Sequence, residues 1–209
     1  MSLKRPRRAP LAALFVALLA VVGLAAAPSA GAATVSSAPA ATAAKTLGTT
    51  TVTTAPGVAE ALLRSGIVPL PAPGTTFGVK YRNGVLVSYG FPITGSTADL
   101  AAGTGDITHS GGIVFVGKGR SLAVGSFDID LAAGKVFATT VNGAAAHVPL
   151  LDLDLAKVRV GTVGTTTVVS GVGLKLDPVA AGVLNRTFGS KLPTDGSLTF
   201  GTANVRIRG

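Results

Sequence analysis

Beyond residue 50 the chain alternates apolar and polar side chains in short runs, broken by Gly, Pro, Asn and Ser, as half-exposed strands do. Runs 76–82 and 85–91 flank Asn83-Gly84, a pair that accepts positive φ at both positions and so predicts a β-hairpin with a two-residue turn. Further strands are predicted at 50–54, 105–108, 113–116, 121–131, 135–141, 151–160, 165–176 and 202–208. Turn residues recur every 8 to 12 residues or so, roughly the spacing of an antiparallel sandwich or barrel. The expected fold is all-β, a mainly antiparallel sandwich or partly open barrel, with two short helices.

The helices are predicted where the period changes. Residues 56–64 open on Pro56-Gly57 and stop at Gly66, while Asp177 caps a second helix with Pro178 at its first position, running to Gly189. Strand, proline, helix and glycine thus occur at 50–66 and again at 170–189, which raises the question of an internal repeat. Residues 33–49 are almost wholly Ala, Thr, Ser, Pro and Gly, a composition that cannot bury a core and reads as a flexible lead.

Composition changes the picture mainly at the N-terminus. Lys4, Arg5, Arg7 and Arg8 precede an apolar run over 11–27, and Ala30-Gly31-Ala32 offers a cleavage site before Ala33. Residues 1–32 therefore read as an export signal, with an uncleaved membrane anchor as the alternative, and 50–209 as one β-rich domain. No later run of residues is long enough to span a bilayer. The protein is expected outside the cytoplasm, secreted or at the cell surface. Of 18 basic residues the signal takes four, leaving 14 against nine acidic, a net of +5. Those charges stand singly and there is no tryptophan, which argues against nucleic acid as a partner and for mild attraction to an anionic envelope. The chain has no cysteine, which removes disulfides, thiolate metal sites and thiol catalysis.

Candidate chemistry is sparse. Asp128/Asp130 and Asp152/Asp154 each put two carboxylates on one face of a strand. Brought together, they could bind calcium or act as an acid/base pair in a hydrolase; on a half-exposed strand they are simply its solvated side. The two histidines, His109 and His147, lie far apart in sequence, His147 in a predicted loop, too few ligands for zinc. No G-x-S-x-G or phosphate-binding loop occurs. Tyr81 and Tyr89 both fall in the hairpin, on different strands and, as read, in different phase; each can pack its ring or, as a phenolate, ligate ferric haem.

The segment Phe91-Pro92-Ile93-Thr94-Gly95, with Asp99, Gly103-Thr104-Gly105, Ile107 and Gly111-Gly112-Ile113-Val114-Phe115, resembles the early part of the HtaA-type domain of secreted actinobacterial proteins. Phe77-Gly78-Val79-Lys80 is similar to that family's opening, with Phe77 where the family has tryptophan. The family's histidine follows the strand matching 113–115, where Val116-Gly117-Lys118 has none. The resemblance implies a surface-exposed β domain that binds haem through a tyrosine supported by a histidine, with Tyr81 and His109 the candidate carriers and Tyr89 the other tyrosine. The expected function is a non-catalytic, cell-envelope binding module with haem as leading ligand. The alternative is a structural or surface-interaction protein without a small-molecule ligand.

Overall fold

The computed structural model describes residues 47–208. Residues 1–32, expected to be an export signal, and most of the expected lead over 33–49 lie outside them. The first strand begins at Gly48, two residues earlier than the sequence pattern places it, because Gly48 and Thr49 are paired with a strand on each side.

Eight antiparallel strands close a barrel. In ring order these are β7 (Arg120–Asp130), β5 (Asp106–His109), β4 (Val85–Ser96), β1 (Gly48–Thr54), β12 (Thr199–Arg208), β11 (Thr166–Leu176), β9 (Ala144–Asp154) and β8 (Lys135–Val141), and β8 pairs back onto β7. Of the two architectures expected, the barrel is the one formed, and it is closed. Four strands extend the wall: β2 (Val68–Pro71) on β6 (Gly112–Gly117), β6 on β7, β3 (Thr76–Tyr81) on β4, and β10 (Arg159–Val163) on β11. Period-two alternation sends Val87, Tyr89, Phe91 and Ile93 of β4 inward, with Leu122 and Val124 and, after a one-residue slip of phase at Ser126, Phe127 and Ile129 of β7.

Three local readings are corrected. The register Tyr81↔Val85 makes the hairpin loop three residues, Arg82-Asn83-Gly84, with φ of 52° at Asn83 and 119° at Gly84. The predicted strand 151–160 is two strands, β9 ending at Asp154 and β10 starting at Arg159, both lying along β11. β9 also begins at Ala144, so His147 is on a strand and not in a loop; its alanines hid the alternation.

β1 and β11 flank β12 and run the same way, each leading into a helix beside the start of β12. These are α1 (Val58–Arg64) and α2 (Pro178–Phe188). The caps differ: α1 starts at Gly57 with no side-chain cap, whereas Asp177 accepts the Val179 N–H and Gly189 ends α2 in the left-handed region. Gly201 on β12 has a packing reason to be glycine, since a Cβ there would run into the Thr53 carbonyl across the seam.

β5 and β6 are one broken strand along β7. The break is a bulge in which Ser126 adopts φ 51° and donates its N–H to the Gly111 carbonyl at 2.9 Å. A non-glycine residue pays a steric penalty there. Ser126→Gly is therefore expected to raise the denaturation midpoint, by about 0.5 kcal/mol after the entropy cost of glycine. A loss of stability would show that the serine side chain holds the bulge.

Candidate functional site

The barrel interior contains the candidate site. β5 is only four residues long, and its phase turns Ile107 and His109 inward while Asp106 and Thr108 face out. The register places His109 opposite Ile93 and Thr50 opposite Phe91, so the histidine and the threonine enter the same space from strands on either side of β4. They bound a cavity of about 150 Å³. Its other walls are aliphatic and aromatic, including Val124, Phe127, Val148 and Leu153 from the strands and Ala180, Val183 and Leu184 from α2, which closes one end.

The hydrogen bonds fix the form of His109. The Phe127 carbonyl lies 3.3 Å from Nδ1 and can only accept, so Nδ1 carries the proton. Nε2 is then a lone pair, and the Thr50 hydroxyl donates to it at 2.7 Å. Burial, with 4% of the residue exposed, drives its pKa down to about 4, overriding backbone hydrogen bonds that favour the cation. The cavity is therefore apolar with a single neutral polar pair in its wall.

An aromatic file leads from this interior to the surface. Phe127 meets Phe91 edge-on at 4.8 Å, Phe91 stacks on Tyr89 at 6.3 Å, and Tyr89 meets Phe77 at 5.5 Å. Tyr89 is 1% exposed and donates its hydroxyl to the Pro69 carbonyl at 3.0 Å. Burial pushes its pKa up to about 12, which opposes a phenolate. Tyr81 is 84% exposed. The hairpin register puts Tyr81, Val79 and Phe77 on the same face as Val85, Val87 and Tyr89, so the two tyrosines share a phase, contrary to the expectation from their strands. They stand about 13 Å apart along the strand direction. Of the three residues singled out, His109 reaches the cavity, Tyr89 lies in the file, and Tyr81 sits at the hairpin tip. Thr50 escaped notice because a threonine among threonines carries no signal beyond its inward phase.

The carboxylate pairs do not meet. β8 runs between them, and one cross-strand row reads Asp106, Asp130, Lys135, Asp152, Lys175. Lys135 bonds Asp152 and, at 2.7 Å, Asp177, so Asp152 is tied through the lysine to the residue that caps α2. His147 stacks on Phe137 at 4.0 Å on the outer side. Among the described residues no group of three or more His, Asp or Glu side chains is placed to hold a metal ion, and no helix is long and apolar enough to cross a membrane.

No family model matches the chain, and no curated protein matches it. Among solved structures it is similar to the C-terminal domain of HtaA from Corynebacterium glutamicum, with 13% identity and a TM-score of 0.47 over 78% of this chain and 98% of that one.

Proposed function

We propose that the domain is a non-catalytic binding module whose barrel takes up a small apolar ligand. The cavity of about 150 Å³ carries this reading. A cavity of that size with apolar walls stays dry and accepts a ligand of about the size of benzene. Thr50 and His109 satisfy each other, so an apolar guest leaves no polar group unpaired. Neither is free to act as a nucleophile or base without giving up that bond. The apolar start of the chain supports secretion or envelope association as the setting.

Toluene is the simplest probe. It is expected to shift the His109 and Thr50 resonances saturably, and Ala180→Leu, which places a larger side chain against the cavity, is expected to abolish the effect. Unchanged resonances in folded protein would overturn the reading.

Haem, the ligand implied by the resemblance, does not fit inside. The cavity lies well below the roughly 300–1,000 Å³ of pockets that enclose larger ligands, and the Tyr89 hydroxyl and both His109 nitrogens are already bonded. A second reading, haem on the exposed end of the hairpin face that carries Tyr89, is supported by Tyr81, which stands exposed in line with the half-exposed Phe77 and Val79. Haemin titration distinguishes the two. A Soret shift lost in Tyr81→Phe but kept in Tyr89→Phe and His109→Ala supports the surface seat, and an unchanged spectrum overturns it. The same apolar face would serve a structural or envelope-binding role without any small ligand, and retention of the wild type but not Tyr81→Ser on isolated cell-wall material would support that role.

A further inference from the structure

A second cavity, of about 340 Å³, opens between α1, α2 and the segment 189–198, within the range of ordinary ligand pockets. Its floor is apolar, and four side chains, Phe115, Leu176, Leu184 and Phe200, line both this cavity and the one inside the barrel. The two spaces therefore lie back to back across one apolar partition. The lining of the outer cavity also includes Arg64, in the last turn of α1, and Lys191, just beyond α2. Both are exposed, and among the described residues that line it there is no carboxylate. Two more cations stand at this end, Lys118 bonded to the Gly189 carbonyl at 3.5 Å and Arg120 to the Thr187 carbonyl at 2.9 Å. Of the nearby acids, Asp195 accepts the Ser197 N–H at 3.0 Å within its own turn, and Glu60, one turn before Arg64 on α1, accepts the Val85 N–H at 2.7 Å.

An apolar floor beneath a cationic rim suits one chemical class. We propose that the outer cavity seats the anionic head and first carbons of a single-chain amphiphile, with its tail directed through the shared partition toward the barrel. The inference rests on the barrel reading above and supplies its ligand class. A long, narrow ligand matches two small spaces set in line better than a broad planar one, and Arg64 and Lys191 offer the charge complementarity that a neutral chain would not need.

Dodecanoate and 1-dodecanol, titrated calorimetrically into the full protein below the micelle concentration, separate the parts. Dodecanoate is expected to bind one to one. The double variant Arg64→Gln/Lys191→Gln is expected to weaken it about tenfold, or about 1.4 kcal/mol, as is raised salt, while leaving the alcohol unchanged. Equal loss of acid and alcohol, or loss of neither, overturns the head-group assignment and leaves the barrel reading standing. If neither long-chain compound binds while toluene still shifts His109, the amphiphile is overturned alone. If toluene fails as well, both readings fall together.

Discussion

Acidification from pH 7 to pH 4 is expected to remove on the order of 3 kcal/mol of stability through one residue, His109. In the folded barrel its imidazole stays neutral down to a pKa of about 4, mainly because burial penalises the cation. In the unfolded chain it titrates near its ordinary value of 6.5. Between those two values the unfolded state binds more protons than the folded one. The contribution is therefore complete above about pH 6.5 and drains away as the pH falls toward 4. Asp128 acts in the opposite sense. Desolvation, then Asp106 and Asp130, raise its pKa, so its folded-state burden is relieved as acid protonates it. Urea midpoints measured from pH 7 to pH 4 in wild type, His109→Gln and Asp128→Asn separate the two groups. The slope should flatten in His109→Gln and steepen in Asp128→Asn. An unchanged slope in His109→Gln would falsify the assignment.

Asp177→Ala is the second large effect expected, a loss of roughly 2–3 kcal/mol. That carboxylate is buried and has two tasks: one oxygen caps α2 by accepting the Val179 N–H at 2.7 Å, and the other pairs with Lys135 at 2.7 Å. Removing it uncaps the helix and takes one of the lysine's two anionic partners. Lys135 keeps Asp152 and is partly solvated, which places the cost at the lower end of what breaking a buried pair incurs. Asp177→Asn retains a cap without the charge and is expected to lose only about half as much. Because α2 closes the barrel cavity, the alanine variant should also weaken toluene binding. Full stability in Asp177→Ala, measured by denaturant unfolding, would mean that packing alone holds α2 in place.

The strands were legible wherever one face meets the core and the other meets water. β8 was read to the residue, and β7, β11 and both helices to within one or two residues, because alternation and end residues agree there. β2, most of β10 and the first half of β9 were not. β2 is Val-Pro-Leu-Pro, and prolines at alternate positions look like a loop unless an edge strand is already known to be there. The first half of β9 is nearly all alanine, which shows no period. The site was harder still. His109 could be singled out as a rare residue, but its partner Thr50 lies 59 positions away and only the pairing of β1, β4 and β5 brings them together. Tyr81 and Tyr89 could be named but not placed in phase, because a one-residue difference in loop length decides which face each occupies.

The position of β1 in the ring bears on how the chain reaches this state. The first described strand is held between β4 and the last strand, β12, with Gly48 opposite both Ile93 and Ile207. The ring cannot shut until the final ten-residue strand has been made. Growing chains that lack that stave expose the bonding edges of β1 and β11, so the order of synthesis keeps the domain open and in need of protection until β12 has been made.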